Sequence, residues 1–215
     1  AALLRRIRDG EDTARALTYW DEQLAHDAAP VVRTRAAFLA KLQPAVARHY
    51  AKLTADAGEG DEPLRLVYAP SYDGPIEGDD ATVAAAFRER LDALRRRELA
   101  QGVNVLGPHR DDLAFFAGPL NLATYGSRGQ QRTVALALKL GELEFIEGET
   151  HEQPVLLLDD VLSELDASRR QALLHAVAPL EQVLLTVADA TSVPAEALAA
   201  AHVYTVRAAT LEPQS

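Results

Sequence analysis

Apolar residues in the opening segment recur at helical spacing. Leu3, Ile7, Ala14, Leu17 and Leu24 keep a three/four rhythm, broken at Gly10 and Asp21. His26 to Pro30 (HDAAP) reads as a turn, with Pro30 suited to the first turn of a second helix. There Val32, Leu39, Val46 and Leu53 repeat every seven residues, with Arg35, Leu42 and His49 at the other seam positions. The pattern predicts an antiparallel helical hairpin whose stripes zip together, Trp20 and Tyr50 packing nearby. Heptads this short fit equally well two helices packed on a globular core.

Beyond the hairpin the pattern changes twice. Gly58 to Glu62 (GEGDE) reads as a polar loop, Leu64 to Tyr68 as an alternating strand, and Ser71 to Asp80 as a loop. Thr82 to Gln101 predicts an amphipathic helix with Val83, Phe87, Leu91 and Leu94 inward and Gly102 as its stop. Its other face carries Arg88, Arg90, Arg95, Arg96 and Arg97. That face is either a local phosphate-binding patch or a solvated surface paired with Glu89, Asp92 and Glu98. After Gly102, short apolar strands (155–158, 183–187, 203–206) alternate with helices (from about 167, and near 195–201). This predicts an α/β fold with a parallel sheet covered on both faces by helices. The boundary falls between residues 101 and 102: a helical arm over 1–101, with a short strand near 64–68, then an α/β portion over 102–215.

Composition narrows the function classes. The 215 residues carry a net charge of −10, so any nucleic-acid contact must come from a local patch or from other parts of an assembly. Cys is absent, which excludes disulfides and thiolate metal sites. Met is absent too, and the sequence opens inside a helical pattern, so it reads as part of a longer chain. There is neither an apolar run of membrane-spanning length nor a signal peptide, and a cytoplasmic location is expected.

Two stretches carry chemistry. In PVLLLDDVLSELD (Pro154 to Asp166) a buried strand ends in Asp159 and Asp160. Ligands bind at the carboxyl ends of such strands; a carboxylate there can hold Mg²⁺, and the next can orient an attacking water. Four apolar residues, two acids and then Ser163-Glu164-Leu165-Asp166 favour this Walker B reading over a solvated acidic turn. In Tyr125 to Thr133 (YGSRGQQRT), small polar residues precede a long apolar helix over 134–146. Ser127 and the Gly129 amide could donate to a phosphate there, or Ser127 could simply cap the helix.

Taken together, GPHRDD (Gly107 to Asp112), SRGQQRT (Ser127 to Thr133) and LLLDDVLSELD (Leu156 to Asp166) resemble the RecF family over about residues 102–206. WDEQLA (Trp20 to Ala25) and Arg35 to Leu39 support the likeness more weakly. The resemblance implies the C-terminal half of an ABC-type ATPase head preceded by a helical arm. It implies an ATP- and Mg²⁺-dependent, DNA-stimulated weak ATPase in DNA replication, recombination, repair and the SOS response. An ATP-bound homodimer would bind DNA gaps and junctions and help load recombinase with RecR and RecO-like partners. By this resemblance Asp159 binds the metal and Asp160 stands where most ABC ATPases carry Glu. Its shorter side chain fits slow turnover. Ser127, Gly129 and Gln130 form a signature acting in trans on the opposite subunit's γ-phosphate, and Asp166 is the D-loop acid. No switch His stands at 186–189, leaving Thr186 or Asp189 as weak substitutes. G-x-x-x-x-G-K-[ST] is absent from these residues, so the segment alone should not bind ATP and should expose an apolar sheet edge. His109 as a metal ligand is a thin case beside a salt-bridged turn. A non-enzymatic module for docking and dimerisation, or another SMC- or ABC-type ATPase, are the competing readings.

Overall fold

The computed structural model describes residues 2–55 and 62–213; positions 58–61 of the expected GEGDE loop lie outside these. The first helix is short: α1 (Ala2–Arg8) stops before Gly10, whose φ of 80° lies in the left-handed region. The turn expected at His26–Pro30 is absent. Instead α2 runs unbroken from Leu17 to Thr54, with Pro30 and Pro44 inside it. An interior proline forfeits a backbone hydrogen bond and costs about 3 kcal/mol. Burial offsets this cost. Ala25, Ala28 and Ala29 are buried in one apolar cluster with Val83, Phe87 and Leu91 of α3 (Asp80–Gln101), together with Tyr72 and Leu106. A turn at 26–30 would remove those alanines from the cluster. The expected antiparallel hairpin therefore does not form and no two stripes zip together; along the one helix Val32, Leu42, Val46 and Leu53 are buried and Leu39 is half-buried. Trp20, expected to pack, is 60% exposed and meets Tyr19 edge-on, whereas Tyr50 is buried.

The chain divides into two units: Ala1–Pro44 with Arg65–Ala123, and Ala45–Leu64 with Thr124–Ser215. In the first, Asp79 caps α3 by accepting from the Thr82 amide at 2.8 Å, and Gly102 ends it at φ 65°. Arg95 of α3 pairs with Asp21, Glu98 and Asp92, and Glu98 also accepts from the Val105 amide at 3.1 Å. Burial raises the pKa of both Asp21 and Glu98. The predicted strand is present as β1 (Leu64–Ala69) and opens a three-stranded sheet in the order β1-β2-β3. The antiparallel hairpin of β2 (Asp112–Ala117) and β3 (Leu120–Asn121) carries no strict polar alternation and escapes a pattern reading.

In the second unit, after the short α4 (Leu122–Tyr125), the organising helix is α5 (Arg128–Thr150), which buries Val134, Ala137, Leu140, Gly141 and Leu143. Gly141 is where α5 meets the C-terminal part of α2. A Cβ there would lie 2.6 Å from Val46 Cγ2 and 3.1 Å from its backbone nitrogen, so only glycine fits without displacement. Nearby, Glu144 accepts from both Arg48 and His49. The strand β4 (Leu156–Asp159) lies parallel to β5 (Val183–Thr186), Asp159 opposite Thr186, with α6 (Ala167–Val177) between them in sequence. The expected parallel αβ core is therefore present, and among the described residues one of its faces is covered. Leu156 and Leu158 are buried, whereas Leu157 is 68% and Leu184 53% exposed. After α7 (Ala195–Ala199), the strand expected at 203–206 forms as β6 (Tyr204–Arg207). It does not extend that sheet: it pairs antiparallel with β7 (Thr210–Pro213) in a separate ribbon. Among the described residues no helix is long and apolar enough to cross a membrane.

Candidate nucleotide site

Asp159 is the last residue of β4 and Asp160 the first beyond it, and both are exposed. Thr186, directly across the parallel pair, serves both. Its hydroxyl donates to Asp159 Oδ1 at 2.5 Å and accepts from the Asp160 amide at 3.0 Å, while its carbonyl accepts from the same amide at 3.2 Å. The chain then turns sharply, Asp160 adopting φ 49° and ψ 24° before the 3₁₀ turn Val161–Glu164. For a non-glycine residue that backbone is uncommon and carries local strain. The sequence alone offers Thr186 only as a weak substitute for a switch His. Its actual partners are the two acids, a role legible only once the register of β4 and β5 is known. Asp189 is committed elsewhere, capping a short turn through the Thr191 amide at 2.9 Å.

The loop before α5 is held by a reciprocal cap. Ser127 Oγ accepts from the Gln130 amide at 3.1 Å, and the Ser127 amide donates to Gln130 Oε1 at 2.9 Å. This cap does not exclude the phosphate reading. Ser127 keeps its hydroxyl proton, and the Arg128 and Gly129 amides sit in the first turn, where the helix offers no carbonyl partner. One arginine ties the start of α5 to the segment after the acids, and a second lies close by. Arg132 of α5 donates to the Glu164 carbonyl at 2.9 Å and pairs with the Glu164 carboxylate at 2.6 Å. Arg169 of α6 pairs with Asp166, and a Cβ on Gly129 would lie 3.3 Å from its guanidinium. Asp166 also caps α6 by accepting from the Arg169 amide at 2.9 Å. That bond, more than the Arg169 charge, holds its carboxyl below the usual carboxylate range. Ser127, Gly129, Gln130 and Asp166 thus share one small neighbourhood, and Asp159 and Asp160 share another around Thr186.

No family model matches the sequence. Among curated proteins, the chain is 39% identical over 211 residues to the DNA replication and repair protein RecF of Heliobacterium modesticaldum, covering 98% of this chain and 55% of that one. It is 38% identical over 213 residues to the protein of the same description from Geobacillus kaustophilus, covering 99% and 56%. Its fold superposes on a solved structure of the recombination mediator protein RecF-ATPrS in the RecFOR pathway, with a TM-score of 0.80 at 27% identity over 99% of this chain and 54% of that one. The RecF-ATP counterpart gives 0.78 at the same identity and coverage. The chain belongs to the RecF family. It spans about half the length of the curated relatives it matches, corresponding to their C-terminal part.

Within this RecF-family chain, the motif GPHRDD resolves into a structural knot. The Asp111 side chain is only 3% exposed. It accepts from Arg35 Nη1 at 3.0 Å, the Ser71 amide at 2.9 Å, Ser71 Oγ at 3.1 Å and the Tyr68 hydroxyl. Burial, followed by the bond to Asp111, pushes the Tyr68 phenol up to about 12. Arg35 also reaches the Pro108 carbonyl at 2.5 Å, and Ser71 bridges the Gly107 carbonyl and amide. The salt-bridged turn is therefore correct for this motif. His109 stands exposed, and the described residues contain no cluster of three or more His, Cys, Asp or Glu placed to hold a metal. Magnesium needs no such cluster, since one or two carboxylates complete its shell together with nucleotide phosphates and water. An exposed oxygen donor such as Asp159 fits that requirement.

Proposed function

We propose that the complete protein is an ATP-switched DNA repair protein whose nucleotide site closes between two copies. Residues 1–101 are its arm, and residues 102–215 belong to its ABC-type ATPase head. Asp159 holds Mg²⁺ and Asp160 orients the attacking water. Ser127, Gly129 and Gln130 present the positive end of α5 to the γ-phosphate of nucleotide on the partner copy, and Asp166 faces that copy. Bound Mg²⁺ would neutralise charge on the phosphates. The protein's own contribution is to fix its donors beforehand, so that little reorganisation remains at the reaction. DNA and RecR- and RecO-like proteins are its partners, in the cytoplasm, with recombinase loading at gaps as the outcome. Slow turnover follows from the short reach of Asp160.

The observation carrying this reading is the pairing of two exposed carboxylates at the end of β4 with a hydroxyl that orients one and anchors the backbone of the other. The decisive experiment is Asp160→Asn in the complete protein. ATP affinity should be retained while DNA-stimulated turnover falls at least about 100-fold. Unchanged turnover would remove Asp160 from catalysis. Because residues 1–215 hold no lysine-bearing glycine loop, a calorimetric titration of this segment alone should show no ATP binding.

A further inference from the structure

The arginine-rich face of α3 is neither uniformly paired nor uniformly open. Arg88 pairs with Glu22 at 3.6 Å, Arg90 holds Asp73 at 2.7 Å, and Arg95 is enclosed by Asp21, Asp92 and Glu98. Among the described residues, Arg96 and Arg97 carry no ion pair. Arg97 lines a cavity of about 320 Å³ together with Arg90, Gln101, Ser71, Asp73 and Arg110. Arg110 comes from the GPHRDD turn and likewise has no carboxylate partner among the described residues. The sole acid lining this cavity, Asp73, is engaged by Arg90, so two guanidinium groups share a concave surface without a counter-charge.

Both backbones are fixed. Arg97 precedes the buried Glu98, and Arg110 sits in a 3₁₀ turn (Pro108–Arg110) held by Arg35 and by the Asp111 knot. Like charges held together by a rigid frame are unfavourable unless an anion joins them. Guanidinium forks match the spread oxygens of phosphate, and the Gln101 amide adds a neutral donor at the rim. One carboxylate would satisfy a single fork, whereas a tetrahedral phosphate presents oxygens to both.

We propose that this cavity is a phosphate pocket, taking one backbone phosphate of a nucleic-acid strand between Arg97 and Arg110. The phosphate chemistry stands independently of the ATPase reading; the nucleic-acid source rests on the repair reading. The test uses the complete protein, with Arg97→Gln/Arg110→Gln against Arg96→Gln, a neighbouring unpaired arginine that does not line the cavity. Affinity for a labelled oligonucleotide is followed over a salt series. One phosphate lost lowers the log–log salt slope by about 1, and binding at low salt should weaken roughly tenfold. Arg96→Gln should change neither. An equal loss from Arg96→Gln, or an unchanged slope in the double variant together with unchanged pyrophosphate heat, overturns the pocket. Calorimetry with inorganic pyrophosphate separates the source: heat lost in the double variant with oligonucleotide binding unaltered supports the phosphate chemistry but overturns the nucleic-acid assignment. Lost binding of polyglutamate, with both phosphate probes unaffected, overturns the proposal in favour of an acidic peptide. Turnover in Asp160→Asn tests the ATPase reading, whereas the salt slope of the arginine variants in nucleotide-free protein tests the pocket, so the two failures remain distinguishable.

Discussion

Asp111 and Asp159 are both motif aspartates, yet their surroundings assign them opposite tasks. Asp111 is buried and surrounded by Arg35, Tyr68 and Ser71, its oxygens taken by the fold. Asp159 is exposed and, among the described residues, accepts one hydrogen bond, from Thr186. A carboxylate saturated from within holds the chain together. One steered by a single donor, with its remaining lone pairs toward solvent, is available to a ligand.

Asp111→Ala should produce the largest effect. It strands Arg35, Tyr68 and the Ser71 amide, and should cost about 3 kcal/mol in chemical denaturation. Asp159→Ala should change stability by under about 0.5 kcal/mol, as an exposed position does. A loss at Asp159 as large as at Asp111 would erase the distinction. Thr186→Val comes next. It removes one donor and one acceptor, costing about 1 kcal/mol. In the complete protein it should lower kcat about tenfold through misplaced acids, with ATP affinity nearly unchanged. Loss of affinity instead would place Thr186 on the nucleotide.

Glu144 is the intermediate case, sharing Arg48 and His49, and yields the smallest effect. Burial lowers the His49 pKa more than Glu144 raises it. A base with a depressed folded pKa contributes stability that is complete above its unfolded value, about 6.5, and is lost as pH falls through the folded value. His49→Gln should therefore flatten the decline in thermal midpoint below about pH 6.5. An unchanged pH profile would mean that His49 does not contribute.

Much of this was readable in the residues. The strand-plus-acids pattern placed β4, and the apolar run over 134–146 placed the body of α5, which begins six residues earlier at Arg128 and continues to Thr150. Val83, Phe87 and Leu91 marked the buried face of α3, and Gly102 its end. The misses share one cause, which is that local signals were overruled by partners distant in sequence. Pro30 punctuates a turn until Ala25, Ala28 and Ala29 find α3. Tyr204–Arg207 resembles another parallel strand until Thr210–Pro213 offers a nearer edge. Thr186 is an ordinary strand-end threonine until the register sets it beside Asp159, and Asp111 is one acid of two until Arg35 and Ser71 converge on it.

The left-handed backbone at Asp160 restricts which side chains can stand there. Of the acids, aspartate tolerates such torsions far better than glutamate, because its short polar arm can bond locally. The sharp bend after β4 therefore selects the acid at this position by main-chain geometry. Lengthening it to glutamate would bring greater reach only by opening the bend that presents it.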